Sequence, residues 1–155
     1  MWGWATWRRA WAYYDVKMKM WPKFLEQNQI ANVFEDRSIQ RYWLKCFQAA
    51  YEGKIDTWDY QWTYAIWSQN GLTILPNVNL ISNIGFGQDA IHTKDSNNPL
   101  SNLMRGELLK ITHPKDIVRD KLADEHIWDK IFKPVSFYLR AINKIKRVSN
   151  DMPTV

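Results

Sequence analysis

The sequence predicts an α+β domain that is mostly helical with a few short strands. Three observations carry that expectation. Residues 38–50 repeat apolar side chains at the helical period, and residues 56–71 lie between a cap signal and a turn signal. Residues 72–75 (LTIL) form a short β-prone run that Pro76 stops. At 155 residues the chain fits one domain, long enough to bury about two-thirds of its unfolded surface. That domain is assigned to residues 1–134, with an amphipathic helix and tail over 135–155.

Each element has a local reason. Trp4, Trp7, Trp11 and Tyr14 recur at roughly helical spacing in an aromatic and basic opening segment. Trp21-Pro22 breaks that segment, because a residue before proline avoids the helical region. Ile39, Tyr42, Trp43, Cys46, Phe47 and Ala50 then share one helix face, and Gly53 ends the helix. A second helix begins near Asp56, where Asp56-Thr57-Trp58-Asp59 reads as a capping box with Asp in place of Glu, and stops at Asn70-Gly71. Residues 77–87 (NVNLISNIGFG) are extended or looped, and residues 88–103 form a long loop without periodicity. Thr112-His113-Pro114 opens a helix that reaches about Phe132, and Pro134 separates it from a last helix over 135–148. There is no internal repeat and no low-complexity linker.

Composition narrows the class. Apolar residues make up 46% and charged residues 24%, which excludes a disordered, collagen-like or disulfide-stapled chain. No apolar run approaches the ~20 residues that span a bilayer. The single cysteine, Cys46, has no internal partner, and no Cys/His spacing suggests zinc. A reducing compartment follows, and the cytoplasm is the expected location. The opening MWGWATWRRAW lacks the basic-then-apolar order of a signal peptide and reads as a chain cut off from something longer. Lys and Arg outnumber Asp and Glu eight to four over residues 1–50 and eleven to seven over 101–155, but are outnumbered five to two between. The aromatic-rich centre is therefore acidic, which argues against a nucleic-acid partner. Over 135–148, Phe137, Tyr138, Ala141, Ile142 and Ile145 oppose Arg140, Lys144, Lys146 and Arg147. That is a basic amphipathic pattern suited to peripheral contact with an anionic membrane face, or to packing on its own domain.

Four segments contain residues with usable chemistry. In Trp58-Asp59-Tyr60-Gln61-Trp62 a carboxylate sits in a helix first turn, where the dipole favours its charged form. Flanking rings limit water and offer flat faces to sugars, so Asp59 is a candidate general base, although spacing alone favours a capping Asp beside core tryptophans. In residues 79–87, Gly85, Phe86 and Gly87 permit close backbone approach to a ligand, or simply make a turn. His92 stands in a polar loop, where it faces a phosphate, a metal or only solvent. Trp2-Gly3-Trp4-Ala5-Thr6-Trp7 reads as a carbohydrate platform or an aromatic core.

Taken in order, GWATWRRAW, WDYQW and PNVNLISNIGFGQDAIHT resemble the C-terminal half of bacterial glycosyltransferase-like proteins. These are nucleotide-diphospho-sugar transferases of the GT-A fold, related to family 2, and the resemblance covers residues 2 to about 130. Residues 58–87 are more loosely similar to N-acetylglucosaminyltransferase I. The resemblance implies the acceptor-side part of a GT-A α/β fold with Asp59 as catalytic base. It also implies Trp58 and Trp62 around the acceptor, Gly3 and Trp4 on the donor-sugar side, Gly85 and Phe86 in the substrate turn, and His92 near the diphosphate or its metal. Implied partners are a nucleotide-sugar donor and a glycan or lipid-linked acceptor. A divalent metal, Mn or Mg, is implied for the whole enzyme. The chain departs from the pattern at Ile91, and it lacks the Asp-x-Asp motif and the βαβ half that bind nucleotide and metal. A fragment or truncated product of an inverting transferase, acting at the inner face of the membrane, is therefore expected. A non-catalytic carbohydrate-binding or membrane-docking module is the alternative.

Overall fold

The computed structural model describes residues 3–83, 85, 86, 101 and 103–134. His92 and the helix expected over 135–148 lie outside the described residues. The chain divides into two compact units, Met1–Val118 and Arg119–Val155.

Among the described residues, the first unit has five helices in the order α1 (Arg8–Trp11), α2 (Trp21–Glu26), α3 (Ile30–Val33), α4 (Arg37–Tyr51) and α5 (Asp59–Ser68). Helix α4 forms where the period predicted it. Asp36 caps it by accepting from the backbone N–H of Ser38 and Ile39, and Ile39, Trp43, Phe47 and Ala50 are buried along one stripe. Its end is a Schellman turn: Gly53, at φ +68°, donates to the Ala50 carbonyl and Lys54 to Ala49. Helix α5 ends the same way, with Asn70 at φ 53° and Gly71 donating back to Ile66. Trp21-Pro22 does not break the chain but opens α2, because proline in a first turn gives up only an N–H that has no helical partner.

The core lies between α2, α4 and α5. Trp21, Phe24, Phe47 and Tyr64 meet with centroids 5.3 to 5.9 Å apart, edge-on except for Trp21 and Phe24, which stack. Trp43, Phe47 and Phe34 close around Trp67 at 4.8, 5.6 and 5.0 Å. The Trp21 indole N–H donates to Gln48 Oε1 at 2.7 Å, so the one polar atom of this ring is satisfied inside the core.

Two expectations need correction. Among the described residues there is no strand, so the α+β class with short strands, and with it the α/β sheet of a GT-A fold, is not what this chain forms. The run at 72–75 has β-prone residues but no partner: Leu72, Ile74 and Leu75 are 47%, 73% and 63% exposed. A strand is stabilised by neighbours on a pleated, half-buried surface, and propensity alone does not supply them. A single backbone bond, Gly106 N–H to Asn79 carbonyl at 2.8 Å, ties the next segment to residue 106 without starting a ladder. The helix expected from Thr112 also begins later. In the second unit, Asp120 accepts from Ala123 N–H at 3.0 Å and caps α6 (Lys121–Ile127). A π-helical turn, Trp128–Phe132, then ends where the sequence indicated. The β-branched Ile117 and Val118, 90% and 73% exposed, precede that cap without burying a face that would reward a helix. No helix among the described residues is long and apolar enough to cross a membrane.

Phe47 is fully buried, so Phe47→Ala should cost about 3–5 kcal/mol in urea unfolding, a large part of typical domain stability. Ile74→Ala should change stability by less than about 0.5 kcal/mol, whereas a residue packed in a sheet would cost several times more. A loss at Ile74 comparable to that at Phe47 would restore the strand.

Candidate functional site

Helix α5 is apolar almost all round, and this positions the site. Successive helical residues turn by ~100°, so Trp62 and Tyr64 point to nearly opposite sides. Tyr64 enters the core, while Trp62 carries a second set of rings. Trp4 stacks on Trp58 at 5.0 Å with 27° between planes and also covers Trp62 at 5.9 Å. Trp11 packs on Trp62 at 5.0 Å and stacks on Tyr14 at 4.6 Å. Trp62 is buried beneath this layer, whereas Trp4, Trp11 and Trp58 are each 40% exposed. The result is a supported aromatic platform. Nearby in the chain, the Arg9 guanidinium lies 5.1 Å from the centre of the exposed Trp7 ring.

Asp59 is the first residue of α5, directly after Trp58. The cap lies two residues beyond the sequence expectation: Trp58, not Asp56, is the N-cap, and it offers no side-chain bond. Instead the Thr57 hydroxyl donates to Asp59 Oδ1. The Asp59 N–H in turn lies 3.4 Å from Thr57 Oγ1. Thr57 therefore fixes the half-buried carboxylate through one oxygen, and among the described residues no donor occupies Oδ2.

The structure brings the three recognised strings toward one another. Gly3, at φ +59°, lies so close to Ile81 that an added Cβ would fall 1.7 Å from the Ile81 Cδ1. A side chain there would displace Ile81 and also strain the left-handed backbone. Gly3, Trp4, Trp58, Asp59 and Trp62 thus gather in one region, with residue 81 against its edge. Gly85 donates its N–H to Asn83 Oδ1 at 2.8 Å in an Asx turn, and Phe86 beside it is half-buried. Among the described residues no group of three His, Cys, Asp or Glu side chains comes together to hold a metal. Sequence reasoning did not assign Trp11, Tyr14 or Thr57 to the site. The helical spacing of Trp4, Trp7, Trp11 and Tyr14 was the available signal, and Thr57 entered only as an inner member of the capping-box string that begins at Asp56.

Behind α5, the Cys46 thiol shares hydrogen bonds with the Tyr42 and Tyr60 hydroxyls, and burial pushes it upward. Burial also raises Tyr60, and pushes Tyr42 and Tyr64 up to about 12. Comparison of the chain with protein-family models, with curated proteins and with solved structures finds no match.

These raised groups are acids that fold in the neutral form. Their contribution is complete below the ordinary values of 9.0 for the thiol and 10.0 for the phenols, and is lost as pH rises toward about 12. Urea stability should therefore fall between about pH 9 and pH 12, with phenolate absorbance appearing alongside unfolding. Stability that stays level across that range would contradict the burial of these hydroxyls.

Proposed function

We propose that this chain forms the acceptor side of an inverting glycosyltransferase that uses a nucleotide-sugar donor, with Asp59 as its general base. One observation carries the reading. Asp59 stands at the start of α5 with one carboxylate oxygen held by Thr57, directly beside the stacked Trp4–Trp58 platform. Exposed indole faces suit the C–H faces of a sugar ring, and a positioned carboxylate suits the hydroxyl that must lose its proton.

In the proposed step, Asp59 Oδ2 takes the proton from an acceptor hydroxyl as that oxygen bonds to the anomeric carbon of the donor. The bond from that carbon to the diphosphate breaks, and its electron pair leaves with the diphosphate. A single base suffices for a single displacement, which inverts the anomeric centre. Thr57 acts as a positioning residue by donating to Oδ1, and Trp62 supports Trp4 and Trp11 from below. A glycan or a lipid-linked sugar is the proposed acceptor. A divalent metal, Mn or Mg, would stabilise the leaving diphosphate when bound. The described residues supply no ligand set for it, so no step here is routed through it.

Asp59→Asn should lower kcat by about 10²–10⁴ in the transferase assembled with its nucleotide-binding half, while nucleotide binding persists. An unchanged kcat overturns the assignment of the base and favours a carbohydrate-binding role for the same platform. Trp58→Ala should act mainly on acceptor KM, because it removes a stacking face and leaves the carboxylate in place.

A further inference from the structure

The run from Trp7 to Lys23 has an inner and an outer side. Trp11 and Tyr14 turn toward Trp62, and Met18 and Trp21 are buried. Between these inward residues Tyr13, Val16 and Met20 face solvent, each more than half exposed, as is Trp7 just before them. Single exposed apolar residues are ordinary on any protein surface. Four large ones within a single short run form a concentration of the kind that marks an interaction surface.

The same run is strongly basic. Arg8, Arg9, Lys17, Lys19 and Lys23 are all exposed, and Asp15 is the one acidic residue among them. Asp15 is occupied within the chain, since its two carboxylate oxygens accept from the backbone N–H groups of Lys17 and Lys19, each at 2.9 Å. The Arg9 guanidinium over the Trp7 ring keeps a cation and an indole together at the surface. Charge therefore calls for an anionic partner, and the exposed side chains call for an apolar one. A bilayer with acidic headgroups offers both. Indole and phenol rings sit at headgroup level, aliphatic side chains reach the acyl boundary, and Lys and Arg extend their stems back to the phosphates. Single-stranded nucleic acid would use the rings and the cations, but it has no comparable place for Val16 and Met20.

We infer that the outer side of residues 7–23 docks this chain on an anionic phospholipid surface. Docking itself stands apart from the transferase reading, but its consequence for the acceptor rests on that reading. The run that meets the bilayer also carries Trp11, which packs on Trp62 beneath the platform. Asp59 would then work close to the headgroups, a placement that selects a lipid-linked acceptor over a free glycan.

The test is cosedimentation of the chain with vesicles of phosphatidylcholine alone and of phosphatidylcholine containing about one-third phosphatidylglycerol. The chain should bind the mixed vesicles, bind the neutral ones roughly tenfold more weakly, and come off the mixed ones as salt rises toward about 0.5 M. Lys17→Gln combined with Lys19→Gln should weaken binding by roughly twenty- to thirtyfold, about fivefold for each cation near the surface. Both positions keep their backbone N–H groups, so the turn at Asp15 and the thermal midpoint should be unchanged. Trp7→Ala should weaken binding by about threefold or more, through lost apolar contact. Failure to sediment with the mixed vesicles overturns the inference. Binding that is indifferent to these variants also overturns it, and moves the contact to the basic run over 135–148. Binding to poly(dT) without binding to mixed vesicles overturns it in favour of a nucleic-acid surface. The transferase reading fails separately, through an undiminished kcat in Asp59→Asn.

Discussion

The architecture depends on a helix that must be covered on both sides. Helix α5 presents Tyr64, Ala65 and Trp67 to one set of rings and Trp62 to another, and a short helix so apolar is stable only between partners. The α2 and α4 core meets the first demand. The aromatic segment around Trp4 and Trp11 meets the second, although it has almost no helix of its own. Its α1 is a single turn, so Trp4 and Trp11 are held by ring contacts rather than by backbone regularity. This constraint explains why the tryptophans of the first half are so many. They are the covering layer of α5 as well as its exposed face.

The candidate site follows from the same constraint. A helix gripped on two sides has a rigid first turn, and Asp59 is at that turn. Thr57 adds a local bond that a loop carboxylate would lack. The opposite end of the α4–α5 connection begins at the Schellman turn of α4, so the segment carrying Asp56 and Thr57 is anchored at both ends. Rigid elements on either side of a short connection place functional groups more accurately than a free loop does. The platform and the carboxylate are two consequences of one packing arrangement.

Much of this was legible in the residues. The stripe from Ile39 to Ala50 identified α4 because its apolar period matches one helical face. Gly53, Asn70 and Gly71 marked helix ends because left-handed residues terminate helices. Asp59 was recognisable as a first-turn carboxylate between indoles. The run at 72–75 misled because β-branched residues state a preference that only a neighbouring strand can realise. The helix expected from Thr112 misled because proline at a helix start is permissive and does not itself nucleate one. The start of α5 lay beyond Asp56 because Thr57 and Asp59 bond to each other instead of forming a reciprocal box.

By itself the sequence determined the centres and the ends of α4 and α5, and that rings flank a carboxylate, since all of these are encoded within a few residues of chain. Only the tertiary structure decided that Trp4 lies on Trp58 and that Ile81 closes on Gly3. It alone showed that Trp62 is a buried support. Those facts depend on which faces meet across tens of residues, and no local spacing records the partner a buried face will find.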